Sequence, residues 1–213
     1  MKDSRIIFVS GLSGAGKGTL VKRFLTRNRD TRLACSYTDR PMRNPEENYY
    51  FVNTAAISQM IASDEFIEYT RFAGHYYGTS KEEIRRIEKR GERPLLEVDA
   101  AGFRQVKEHP LFAHHETVSF FVAVPSPKEL VLRLEGRGSE SEATLLARLK
   151  ASCRELEAAG LYDAVLVNDD TERIEQRMEA ILEGKAEGDP FDPDSFREEL
   201  SALIEEMEAR HVQ

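Results

Sequence analysis

Apolar residues along this chain come in short unbroken runs, each followed by a stretch where they recur every three or four positions. Ile6-Ile7-Phe8-Val9 is the first run, and residues 5–10 read as a strand. The spacing predicts a helix over 17–28 and a short strand over 33–36. Further buried strands are expected at 94–98, 118–124 and 164–167, and helices at about 100–108, 126–135, 141–159 and 171–183. Unbroken apolar strands alternating with helices imply an α/β fold with three layers, a parallel sheet covered on both faces. Ligands of such sheets collect at the carboxyl ends of the strands.

Residues 37–80 break the rhythm. They are rich in tyrosine, alternate around 48–52, 66–72 and 75–79, and hold a short helix at 54–62. They read as a small mixed α+β subdomain inserted in a core made of 1–36 and 81–184. Residues 184–194 read as a linker. Ser195 and Glu198 then form a capping-box pattern, followed by Phe196, Leu200, Leu203, Ile204 and Met207 at helical spacing. Residues 185–213 are therefore expected to be a linker plus an amphipathic helix. That helix either packs on its own domain or serves self-association, which leaves monomer and homodimer both open.

Charge narrows the partners. With 38 acidic and 30 basic residues the formal charge is −8, which argues against a general nucleic-acid or anionic-membrane binder. Local arginine clusters can still bind a small anion. Cys35 and Cys153 form no disulfide framework or metal pattern. No signal segment or long apolar run stands out, so the expected location is cytoplasmic.

The strongest motif is Gly11-Leu12-Ser13-Gly14-Ala15-Gly16-Lys17-Gly18-Thr19, directly after the first strand. Glycines let backbone N–H groups turn inward around an anion, Lys17 adds a point charge, and the next helix points its positive end at the same spot. The usual hydroxyl that holds Mg²⁺ would stand at position 18, which is glycine; Thr19 follows one residue later. This Lys-Gly-Thr variant resembles the loop of adenylate kinases, which use Mg²⁺. The loop implies a bound nucleoside triphosphate or something close to it, without saying which phosphate is moved or to what.

A second constellation suits a nucleoside monophosphate. Arg40 and Arg43 can fork onto phosphate oxygens, and Tyr49 and Tyr77 can donate phenolic hydrogen bonds to the same group. Around them run Ser36-Tyr37-Thr38-Asp39-Arg40, Tyr49-Tyr50-Phe51-Val52, Glu65-Phe66-Ile67-Glu68-Tyr69 and Gly74-His75-Tyr76-Tyr77-Gly78-Thr79. Later come Glu97-Val98-Asp99, Arg133-Leu134-Glu135-Gly136-Arg137-Gly138, Arg148 and Val167-Asn168-Asp169-Asp170. In this order, over roughly residues 5–183, the motifs resemble the guanylate kinase family.

The resemblance implies a P-loop kinase fold, with 37–80 as the GMP-binding insert and a short lid at about 136–147. It implies ATP-dependent phosphorylation of GMP to GDP, with Mg²⁺ as cofactor and Thr19 meeting it directly or through water. Glu68 and Asp99 would serve the guanine donors, and Ser36 and Thr79 its carbonyl. Lys17, Arg133, Arg137 and Arg148 would compensate charge on the phosphoryl group, and Asn168 would lie near the adenine end. The stretch after Arg43, Pro45-Glu46-Glu47-Asn48-Tyr49, is about three residues shorter than the family's usual run, and Glu97 stands where an aspartate is usual.

Singly, each residue has a plainer reading. Asp99 fits a helix cap, Arg133 an ion pair with Glu129, and the tyrosines half-buried strand positions. Two other functions use the same scaffold: a kinase for another small phosphate, and a non-catalytic binding module.

Overall fold

The computed structural model describes residues 5–42, 48–72, 74–136 and 142–210. β1 (Ile6–Gly11) is buried along its whole length, as an apolar run inside a parallel sheet must be. After α1 (Lys17–Arg27) come β2 (Thr31–Leu33), β3 (Ser36–Thr38), β4 (Tyr49–Phe51) and α2 (Thr54–Ala62). β5 (Phe66–Phe72), β6 (His75–Ser80), α3 (Lys81–Lys89), β7 (Arg93–Glu97) and α4 (Ala100–Glu108) follow. The chain continues through β8 (Thr117–Ala123), α5 (Pro127–Glu135), α6 (Glu142–Leu156), β9 (Ala164–Val167), α7 (Thr171–Leu182) and α8 (Pro193–Arg210). The core sheet runs β2-β7-β1-β8-β9, and a second sheet runs β4-β3-β6-β5.

The strand expected over 33–36 is two strands belonging to different sheets. Ala34 N–H still extends the β2 ladder, donating to Leu95 O at 2.8 Å. The next amide, Cys35 N–H, donates instead to the Glu83 carboxylate at 3.1 Å, and there the chain leaves one sheet for the other. Helix α3 was not foreseen. Its stripe is only Ile84 and Ile87 in a charged sequence, yet the Ser80 side chain caps it by accepting from Glu83 N–H. The helix expected over 141–159 ends at Leu156, and a 3₁₀ turn takes Ala159–Leu161.

Two compact units divide the chain. The first runs through Phe8 and resumes over Asn28–Thr117; the second holds Val9–Arg27 and the chain from Val118 on. In the first, β3 and β4 pair parallel, while β6 pairs antiparallel with both β3 and β5. Helix α4 packs on β5, and Phe103 and Phe112 meet Phe8 edge-on, their ring centres 5.8 and 5.5 Å away.

In the second unit β8 and β9 pair in parallel and α1 packs on α7. Helix α8 lays Phe196, Leu200 and Ile204 inward and packs on α5 and α6. Its cap is not Ser195. Asp192 Oδ1 accepts from the N–H groups of Asp194 and Ser195, both at 3.1 Å, with Pro193 opening the helix. An aspartate just before a proline at the first helical position is the better cap, so the helix starts three residues earlier than a Ser195 cap would set it. The segment ahead of it is tied down. Asp189 N–H donates to Val165 O at 2.8 Å, and Val167 N–H donates to Asp189 Oδ2 at 2.9 Å. Among the described residues no helix is long and apolar enough to cross a membrane.

Candidate active site

The glycine-rich loop lies in the second unit, at the end of β1. Gly11 has φ +132°, and a Cβ there would come within 2.1 Å of Val122 O. The loop can leave the sheet only because this residue has no side chain. Leu12 N–H donates to Val122 O at 3.0 Å and Ala15 N–H to Leu12 O at 3.0 Å, closing the turn. Gly14 and Gly16 also take positive φ, and a Cβ on Gly16 would lie 2.5 Å from the Asn168 amide nitrogen.

Lys17 opens α1 and folds back over the loop. Its ammonium donates to Gly11 O at 2.6 Å and Leu12 O at 3.0 Å. Three residues far away in sequence brace this turn. Asn168, only 4% exposed, donates through Nδ2 to Ala15 O at 2.7 Å, and its own N–H donates to Ala123 O. Arg133 donates to Asn168 O at 2.8 Å through Nη2 and pairs with Glu129 at 2.8 Å through Nε. The ion pair weighed as its plainer role is present, and the guanidinium reaches the loop's brace as well. Arg148 Nη1 reaches Ser13 Oγ at 3.4 Å. Gly18 and Thr19 lie exposed on the first turn of α1. Arg137 lies outside the described residues.

The first unit holds the other candidates. Ser36 on β3 and Thr79 on β6 share a hydroxyl contact of 3.1 Å. Thr79 N–H donates to Glu68 Oε1 at 2.8 Å, across the β5–β6 register that places these two residues opposite each other. Glu68 is only 5% exposed. Burial, with the Asp99 charge adding to it, pushes its carboxyl up to about 7 against the pull of the Thr79 hydrogen bonds. Asp99 caps α4, accepting from Gly102 N–H at 2.7 Å, so its plainer role is also real. A Cβ on Gly102 would come within 2.7 Å of Glu68 Oε2 and 3.3 Å of Asp99 Oδ1. The two carboxylates thus converge on one glycine.

Arg40 is buried and lies over the rings of Tyr49 and Phe51, 5.7 and 5.8 Å from their centres. Tyr49 and Tyr77 meet edge-on at 5.9 Å. Seven candidates of this half therefore form two contiguous groups: Ser36, Glu68, Thr79 and Asp99 in one, Arg40, Tyr49 and Tyr77 in the other. Arg43 lies outside the described residues. Sequence reasoning did not single out Asp39, whose carboxylate accepts from Tyr76 N–H and the Thr54 hydroxyl, both at 2.8 Å, and so pins β6 and α2 to the end of β3. Nor did it find Val122, whereas Glu129 was named as the plainer partner of Arg133 and is that partner. An Asp beside Arg40 was the only signal for Asp39.

No group of three acidic, histidine or cysteine side chains able to hold a metal exists among the described residues. A hydroxyl on an exposed helical turn, at Thr19, fits an ion that arrives on a triphosphate and keeps most of its waters.

A glycine-rich loop on a parallel α/β sheet, with a second sheet that carries the buried Glu68 facing Asp99 at the start of α4 and a buried arginine over tyrosine, is the arrangement of a P-loop nucleotide kinase. The chain belongs to the guanylate kinase family, whose model matches residues 3–185. It is 38% identical to the guanylate kinase of Nostoc sp. over 185 residues, covering 85% of this chain and 91% of that protein. It is 37% identical to that of Neisseria meningitidis serogroup A, over 85% of this chain and 88% of that one. Among solved structures it is similar to guanylate kinase from Anaplasma phagocytophilum, with TM-score 0.66 and 26% identity over 85% of this chain and 86% of that one.

Proposed function

We propose that this chain transfers a phosphoryl group from ATP to GMP, giving ADP and GDP. The observation that carries the reading is the contiguous group of Ser36, Glu68, Thr79 and Asp99, in which Glu68 and Thr79 are buried. Guanine presents two adjacent donors, the ring N–H and the exocyclic amine, beside a carbonyl acceptor. Glu68 and Asp99 accept from the donors, and the Ser36 and Thr79 hydroxyls donate to the carbonyl. Adenine would leave the carboxylates without partners, and an unpaired buried acceptor costs about 1–3 kcal/mol, more for a charged one.

The GMP phosphate is held by Arg40, Arg43, Tyr49 and Tyr77. It is already a nucleophile near neutral pH, so no general base is needed. Catalysis is alignment and charge compensation. The loop amides from Gly11 to Gly18 hold the donor phosphates, and Lys17 exchanges its carbonyl partners for phosphate oxygens. Arg133, Arg137 and Arg148 add positive charge toward the group in flight. Asn168 supports ATP binding by bracing the loop at Ala15. Mg²⁺, met by Thr19 through water, would supply further charge neutralisation on the triphosphate. Such an enzyme works in purine nucleotide metabolism in the cytoplasm.

The test is ADP release from ATP·Mg²⁺ against a panel of monophosphates. Turnover with GMP well above AMP, CMP and UMP is expected. Clear turnover of another acceptor with none of GMP would overturn the reading, and turnover of none would mark a binding module.

A further inference from the structure

One buried carboxylate in the first unit has no part in the chemistry above. Glu83 stands on the first turn of α3 with its side chain 4% exposed. In an ordinary capping box it would reach back to the N–H of the cap residue Ser80. Here it turns elsewhere. Oε1 accepts from Cys35 N–H at 3.1 Å, and Oε2 accepts from the Tyr50 hydroxyl at 3.2 Å. Arg86, one turn on, pairs with Oε2 at 2.6 Å and also donates to the Tyr50 hydroxyl. A buried charge is tolerated only when paired and hydrogen-bonded, and this one has both. Burial, with Glu83 adding to it, pushes the Tyr50 hydroxyl's pKa up, so it stays a proton donor to the carboxylate.

The atoms that Glu83 holds are next to proposed GMP ligands. Cys35 directly precedes Ser36, and Tyr50 directly follows Tyr49. The parallel register puts Ser36 opposite Tyr49 and Tyr37 opposite Tyr50. Among the described residues β4 is a three-residue edge strand paired with β3 alone, and a short parallel pairing is weak on its own. The Tyr37–Tyr50 ring contact at 4.7 Å, the Tyr49–Tyr77 contact, Arg40 over Tyr49 and Phe51, and the Glu83 tie add to it, and of these the Glu83 tie alone grips both β4 and the amide before Ser36.

We propose that Glu83, acting through Tyr50 and the Cys35 amide, is a positioning residue that fixes the spacing between the guanine-carbonyl ligand Ser36 and the phosphate ligand Tyr49. This rests on the GMP reading above. A nucleotide is a nearly rigid ruler between base and phosphate, so a drifting β4 loses one end of it. The tie bears on GMP binding and not on the donor loop.

The experiment measures kcat, KM for GMP and KM for ATP in wild type, Glu83→Ala, Glu83→Gln and Tyr50→Phe, with GMP titrated calorimetrically without ATP. For Glu83→Ala a rise of about tenfold in KM and Kd for GMP is expected. Its kcat at saturation should stay within threefold, with KM for ATP unchanged. Glu83→Gln keeps an acceptor for Cys35 N–H and should recover part of the loss. Tyr50→Phe keeps the ring, folds without a buried charge left over, and should raise KM for GMP several-fold. Combined with Glu83→Ala it should add little, because both break one link. Lower melting temperatures with GMP constants unchanged would overturn the proposal. So would an equal rise in both KM values. Wild type that neither binds nor phosphorylates GMP would sink the GMP reading itself, and the proposal with it.

Discussion

The loop at the end of β1 and the four-stranded sheet of the first unit are built by opposite means. The loop is a backbone object. Gly11 sits where any Cβ would strike Val122, and Lys17 and Asn168 both address main-chain carbonyls. The candidate site beside the sheet is a side-chain object, assembled from Ser36, Glu68 and Thr79 on three of its strands and Asp99 at the cap of α4. A backbone site is set by geometry and barely titrates. A side-chain site can be tuned by ionisation and by neighbours such as Glu83.

The comparison is most sharply tested at Lys17. Lys17→Ala should cut kcat roughly 10²–10³-fold while calorimetry shows GMP binding intact. A GMP affinity that fell in parallel would dissolve the distinction between the two regions. Next in size, Gly11→Ala should cost on the order of 3 kcal/mol in denaturant unfolding and abolish ATP binding, because the strain is in the main chain and has no rotamer to escape into.

Glu68 should answer to pH, as the loop should not. Its carboxyl titrates at about 7 in the free protein, and it must be ionised to accept from guanine. KM for GMP should therefore fall as pH rises from 6 to 8. The sign for stability is the reverse. A carboxyl raised above its unfolded value stabilises the fold fully below the ordinary carboxylate range and loses that contribution as pH climbs through about 7. The melting temperature without nucleotide should thus fall over the same interval. Glu68→Gln should lose about 10–100-fold in GMP affinity and show neither slope beyond that of the GMP phosphate, which itself titrates near 6. Smallest, Ser36→Ala should reduce the preference for GMP over AMP about fivefold in kcat/KM, with KM for ATP unmoved.

The same contrast explains what could be read from the chain. The glycine-rich loop is contiguous, so its spacing alone announced it, and the strands and helices with unbroken or evenly spaced apolar residues fell within a few residues of their places. Helix α3 hid because its stripe is two isoleucines among charges. The split between β2 and β3 hid because it depends on Cys35 N–H finding Glu83, 48 residues on. The candidate GMP-binding residues became legible only through their combined order along the chain. Taken singly each had a plainer role to hide behind, and Asp99 does cap α4.

Asp189 has a meaning beyond its hydrogen bonds. β9 is the last strand of the core sheet, and Asp189 occupies the outward N–H of Val167 and C=O of Val165. Arg173 grips its carboxylate at 3.1 Å, holding it there. Open strand edges are templates for aggregation between molecules. The family match ends at residue 185, just before this cover. The stretch that looked like a spacer is therefore the sheet's hem, and trimming the protein to its family-sized part would leave a sticky edge in place of a finished one.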